Sequence, residues 1–231
     1  MTTQNEVMIA GVRHQKDRIE DLVRQLEGKA PLKREDIRYA DTVLKDVEDG
    51  IKKLRWVLAH VPVITPDYLQ KLKNLGGGVN VLGGWRWLTG DSINNGPPFR
   101  DILASGIPVG MSSDGMQIST MSPWINLYYV VTGKNARGAL INGGQTLGRN
   151  DAMRLYTSAN GWFLQAEDKL GTIEEGKLAD LVVLSADYFN KRAVPDESIK
   201  DLRSVLTVVG GKVMYDDLDG RSRAYWKAGL P

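Results

Sequence analysis

Three short apolar runs separated by helix-patterned segments constrain this chain more than any other feature. "LRWVLAHV" (54–61), "VNVL" (79–82) and "IPVGMSSDG" (107–115) read as strands, the first buried and the last running into a polar end. Between the first two lies "TPDYLQKLKNLG", a helix with Thr65 as N-cap, Pro66 in its first turn and Gly76 at its stop. A Gly-Trp-rich loop and the short helix "PPFRDILASG" separate the second strand from the third. "SPWINLYYVVTG" and "GRNDAMRLYTSANGWFL" continue as helices, the latter capped near Asn150 and Asp151. A helix-length connection between successive strands permits a crossover, so the pattern predicts a parallel sheet in an α/β fold. In such folds functional groups gather at the carboxyl ends of the strands.

The rhythm differs on either side. Upstream, Ile19, Leu22, Val23 and Leu26 repeat at helical spacing up to Gly28 and Pro31, and a second helix runs from about Glu35 to Lys53. Its apolar stripe includes Ile37, Val43, Leu44, Val47 and Ile51. These helices can cover a sheet, form a hairpin or make an oligomer contact. Downstream of residue 170, "ADLVVL" and "SVLTVVGGKVMYDD" read as strands, the second pair joined by a Gly210-Gly211 hairpin turn. Leu181–Leu184 has no polar residue and reads as buried on both faces. The expected division is therefore 1–170, an α/β part, and 171–231, an all-β appendage.

Charge and composition narrow the function classes. Thirty Lys and Arg against twenty-eight Asp and Glu, scattered rather than blocked, leave a net charge of +2, which is no nucleic-acid footprint. The absence of cysteine removes disulfides, thiol catalysis and cysteine–zinc sites. No run approaches the roughly 18 apolar residues of a spanning helix, and the N-terminus lacks a signal-peptide pattern, so a cytoplasmic location without membrane or nucleic-acid partners is expected.

Few residues can carry chemistry. Of two histidines, His60 ends a strand in "VLAHV", and Asp114 holds the same relative place two strands later in "GMSSDG". An imidazole and a carboxylate at strand ends form half of a site for a borderline cation such as zinc; by spacing alone a histidine there is more often a packing residue and an aspartate before glycine more often a turn former. Trp85, Arg86 and Trp87 follow a strand and can line a pocket or pack against helices, with Arg86 suited to an anion. The glycine-rich "LGGGVNVLGGWRW" lacks a Gly-Lys-Ser/Thr or G-x-G-x-x-G pattern, which speaks against nucleotide binding. The long glycine-rich stretch 130–150 reads as a loop, either a cover or an ordinary connection. Ser112 and Ser113 lie outside any serine-hydrolase context.

"GTIEEGKLADLVVLSADYF" (171–189) resembles the tail signature of the amidohydrolase superfamily, G-x-I-x-x-G-K-x-A-D-L-V-V-L. Upstream, "KKLRWVLAHVPVITPDYLQKLKNLGGGVNV" is similar to the amidohydrolase 3 group segment whose strand delivers a metal-ligating histidine. "IPVGMSSDG" is similar to the last barrel strand, whose aspartate binds metal and handles the proton of the attacking water. The resemblance covers roughly residues 50–216. It implies the C-terminal half of a (β/α)₈ TIM barrel, with the tail returning into a small β-sandwich, and it makes Leu181–Leu184 a strand entering a second layer. It implies zinc or another divalent metal held by His60 and Asp114, with Asp114 also catalytic. Trp85, Arg86 and Ser113 would face a small amide-type substrate hydrolysed at a non-peptide carbon–nitrogen bond.

The family's H-x-H pair is absent, its bridging lysine or glutamate is not found, and Ala10 stands where a further histidine is expected, with His14 four residues beyond. The resemblance thus implies either a hydrolase whose missing ligands come from a complementing chain or from a longer natural chain, or a catalytically incomplete fragment with a binding role or none, held as a homo-oligomer through the helices at 15–54.

Overall fold

The computed structural model describes residues 4–29, 31–90, 96–116, 119–218 and 223–224. The chain separates into two compact units, Met1–Val57 with Asp67–Gly78 and Leu58–Pro66 with Val79–Pro231.

The first unit is built on two long helices, α1 (Gln4–Leu26) and α2 (Arg34–Lys53). Asp36 at the third position of α2 accepts the backbone N–H of Lys33 at 3.1 Å, occupying a donor that the helix itself leaves unbonded. Acidic Glu35 and Asp36 open α2 and basic Lys52 and Lys53 close it, matching the helix dipole at both ends. The two helices share a small core of Leu22, Val43 and Val47, flanked by Leu26, Ala40 and Ile51. The helix α3 (Pro66–Asn74) adds the buried Leu69, and Gly76 stops it as the sequence predicts.

The second unit holds most of two sheets. Strands β1 (Val57–His60), β2 (Gly78–Leu82) and β3 (Val109–Ser112) form the first, in the order β1-β2-β3, with β2 and β3 parallel in the register Val79↔Val109 to Leu82↔Ser112. The α/β alternation is therefore present. Central β2 and its neighbour β3 bury Val79, Val81, Leu82 and Met111 almost completely. β1 departs from expectation. The eight-residue buried strand is four residues long, and Val57 and Leu58 remain 43% and 46% exposed because β1 is the sheet edge, with β2 as its one strand neighbour among the described residues.

After β2, the expected Gly-Trp loop is instead a helical turn and a half, α4 (Gly84–Thr89), followed by α5 (Phe99–Ala104). Helix α6 (Pro123–Thr132) is the centre of the unit's core: Leu127, Tyr128, Tyr129 and Val130 are 0–1% exposed. Its apolar side chains run all round the helix, as burial on every side demands. Phe99 of α5 meets Tyr129 edge-on, ring centroids 6.0 Å apart. The stretch 130–150 is less open than a loop: α6 continues to Thr132, a Lys134–Leu140 bridge closes a turn, and Gly143–Gln145 forms a 3-10 turn.

The single helix expected over 149–164 is two, α7 (Arg149–Tyr156) and α8 (Asn160–Leu164), and α7 starts at Arg149 after a Gly148 cap, just before the predicted Asn150–Asp151. Arg149 is 6% exposed. Its guanidinium donates to Asp196 Oδ1 from Nε (2.9 Å) and Nη2 (2.6 Å) and to the carbonyls of Tyr188 and Val194, so a buried charge is paired and most of its donors are used.

The second sheet is antiparallel, in the order β4 (Leu181–Leu184), β5 (Ser204–Val209), β6 (Lys212–Asp216) and β7 (Arg223–Ala224). Gly210 and Gly211 take φ of +56° and +79°, the left-handed pair that a two-residue hairpin turn requires. The doubly buried reading of β4 is overturned: Leu181, Val182 and Val183 are 37%, 49% and 43% exposed. An apolar run predicts that a strand wants cover, but only packing supplies it.

Candidate active site

The polar end of the first sheet brings His60 and Asp114 together. His60 is the last residue of β1, and Asp114 lies two residues beyond β3. Strands separated by one neighbour lie about 10 Å apart, yet His60 Nδ1 and Asp114 Oδ2 approach to 3.7 Å. The two side chains therefore converge across the width of β2. At both residues the backbone is left-handed, with φ of +70° at His60 and +48° at Asp114. Side chains other than glycine rarely adopt this conformation, and such strain concentrates at functional sites. Both groups remain open to solvent, the imidazole 61% and the carboxylate 35% exposed.

The surrounding polar groups are held by the strands beneath. Ser112 Oγ donates to Asn80 Oδ1 at 2.6 Å, tying the end of β3 to the middle of β2. Asn160 Nδ2 donates to the Met111 carbonyl at 3.0 Å, fixing β3 from the side of α8. Ser113, half-buried, stands between Ser112 and Asp114. Arg86 lies half-buried in α4. Burial pushes the Tyr129 hydroxyl well above its ordinary pKa, and the nearby Arg86 guanidinium pulls it partly back, so the phenol stays protonated at neutral pH. Trp85 is in α4, and its side chain lies outside the described residues. Asn80, Tyr129 and Asn160 escaped the sequence reading. The signal for Asn80 was present, a lone polar residue inside the apolar "VNVL" run.

His60 and Asp114 offer one nitrogen and one oxygen donor, types that a borderline divalent cation accepts. A catalytic zinc site normally has about three protein ligands plus water. Among the described residues no group of three or more His, Cys, Asp and Glu side chains could hold an ion, so this donor pair is an incomplete fit.

A model of the amidohydrolase family matches residues 4–215. The chain belongs to the amidohydrolase family. YtcJ of Bacillus subtilis strain 168, named as an amidohydrolase, is 26% identical over 129 residues, which are 54% of this chain and 24% of YtcJ. Among solved structures, a triazine hydrolase variant superposes with a TM-score of 0.53 at 22% identity, covering 69% of this chain and 36% of that one. The E241Q mutant of atrazine chlorohydrolase TrzN from Arthrobacter aurescens, complexed with zinc and atraton, gives 0.54 at 21% identity, covering 76% and 39%. An adenosine deaminase from Xanthomonas campestris with bound zinc gives 0.54 at 15% identity, covering 74% and 40%. These likenesses show a shared mixed α/β fold. The chain spans about a quarter of YtcJ and under half of each of these solved chains. Among the described residues no helix is long and apolar enough to cross a membrane.

Proposed function

We propose that this chain supplies the C-terminal half of a metal-dependent amidohydrolase acting on a small, amide-type substrate at a non-peptide carbon–nitrogen bond. In this reading residues 1–170 are the later part of a (β/α)₈ barrel and 171–231 the closing strands of a β-sandwich, in a cytoplasmic protein. The exposed apolar residues of β4 support a missing second layer. The observation that carries the chemistry is the convergence of His60 and Asp114 to 3.7 Å at one sheet end, with left-handed backbone at both.

His60 and Asp114 would give a divalent metal, zinc or similar, two of its donors, the rest coming from a complementing polypeptide or from sequence outside these 231 residues. The chemistry supplied there would be a lowered pKa of bound water and polarisation of the scissile carbonyl. Asp114 would carry a proton from the attacking water to the leaving nitrogen, and His60 would hold metal or substrate. Arg86 and Ser113, with Trp85, would face the substrate. A second reading, an incomplete chain with a binding role or none, is favoured by the two-donor count alone.

Zinc titration of the purified chain tests the site. His60→Ala and Asp114→Asn should each weaken binding about tenfold or more, as loss of one donor from a small set does; unchanged binding in both removes the assignment. Metal that survives gel filtration near stoichiometry favours the enzyme, whereas a metal-free eluate favours the second reading.

A further inference from the structure

The α1–α2 hairpin turns its most apolar side away from its own seam. The α1 residues that meet α2 are mostly small or polar. A Cβ on Gly11 would lie 2.8 Å from Leu54, one on Gly50 would strike Gln15, and Arg18 pairs with Asp46 at 2.8 Å. Among the described residues, Leu22 and Leu26 bring apolar bulk to that seam. These contacts run in opposite order along the two helices, so the hairpin is antiparallel.

Ile9, Val12, Ile19 and Val23 form a separate row. They are 46%, 38%, 40% and 49% exposed, and with Lys16 they follow the three-then-four spacing of a helix-packing seam. At roughly 100° per residue this row lies about 100° around α1 from the α2 contact. On α2, Ile37 and Leu44, each 50% exposed, recur seven apart and continue to the half-buried Ile51. Both rows are displaced from the seam in the same rotational sense, which in an antiparallel pair puts them on one side of the hairpin. Consistent with this, Val12 and Ile19 line a single groove with Ile51 and Leu54.

We propose that this face is a self-association surface, through which two copies of the chain pair as a four-helix bundle. The spacing calls for a helical partner, and an identical hairpin related by a two-fold axis offers both rows at matching pitch. Charge fits a second copy. α1 carries four basic and four acidic residues and α2 five and six, interleaved, so self-pairing meets no single-sign repulsion. The one polar member of the α1 row, Lys16, is already paired with Glu20 at 2.9 Å and can lay its stem across the seam while setting register. This surface is independent of the His60–Asp114 chemistry.

Sedimentation velocity on the full chain should give twice the monomer mass, and Ile19→Glu and Val23→Glu should each weaken self-association at least tenfold while Asp17→Asn, outside the row, leaves it intact. Circular dichroism checks that the helices persist. Because the chain has no cysteine, Leu44→Cys treated with a short thiol-to-thiol crosslinker should give covalent dimers; this holds even if a glutamate variant fails to fold. A monomer at every concentration overturns the proposal. So does a dimer unaffected by both folded glutamate variants, or the absence of crosslinked dimer in the Leu44→Cys protein.

Discussion

His60 and Asp114 each combine a chemically useful side chain with an unfavourable backbone conformation. Left-handed φ at a non-glycine residue costs about 1–2 kcal/mol, and His60, with its imidazole 61% exposed, recovers little of that by burial. Two substitutions that both delete the imidazole should therefore differ. His60→Gly removes the penalty while His60→Ala keeps it, so the glycine variant should be more stable by about 1 kcal/mol. Both should lose the same zinc affinity. Urea denaturation beside zinc titration checks both halves of the expectation, and equal stabilities would show that the φ of +70° at His60 carries no strain. The identity of the two residues and their place at strand ends were legible in the sequence. Their approach was not, because it depends on strands far apart in the chain being laid side by side.

At the scale of elements, the "GTIEEGKLAD" turn shows what a recognisable motif does physically. Gly171 has φ of +93°, and a Cβ there would come within 2.7 Å of the Ser158 Cα. Lys177 reaches back to the Glu167 carbonyl at 3.1 Å and to Thr172 Oγ1 at 2.6 Å. Asp180 Oδ1 accepts the N–H of Gly210 at 2.7 Å, and the Ala179 carbonyl accepts that of Gly211 at 3.1 Å. The turn before β4 thus clasps the β5–β6 hairpin turn thirty residues on. Asp180→Ala should cost about 1 kcal/mol through that lost bond, with Asp180→Asn, which keeps an acceptor, recovering most of it. Zinc binding should be untouched in both, as the clasp holds the β4–β5–β6 sheet rather than the His60–Asp114 end; a folded Asp180→Ala protein that loses zinc would contradict this. The sequence predicted the strands and the hairpin. It did not reveal which residue the Asp180 carboxylate would hold, nor the break between α7 and α8.

Over the whole molecule, stability should fall on both sides of neutrality, for different reasons. The Lys134 hydrogen bond holds Glu197 below its ordinary carboxylate pKa of 4.5, and the bond to Lys29 does the same for Asp36. A depressed carboxylate contributes stability above the unfolded value and loses it as pH falls through the folded one, so this acid limb lies below about 4.5. Burial raises the hydroxyls of Tyr129, Tyr156 and Tyr188 above their ordinary 10.0, and the Glu197 bond raises Lys134 above 10.5. A raised group contributes fully below its unfolded pKa and loses that contribution as pH rises towards the folded one, which sets an alkaline limb above about 10. Glu197→Gln should flatten the acid limb in denaturation curves taken across pH, and an unchanged slope would show that the Lys134–Glu197 pair does not survive in solution. By itself the sequence determined the α/β alternation, the β-rich tail and the amidohydrolase relationship, because periodicity, turn residues and a motif are local properties of consecutive residues. Only the tertiary structure decided that β1 and β4 stand exposed, that Arg149 is a buried charge bonded to Asp196 and two carbonyls, and that His60 and Asp114 meet across β2. Burial and convergence depend on which distant segments pack together, and that is settled by the whole chain at once.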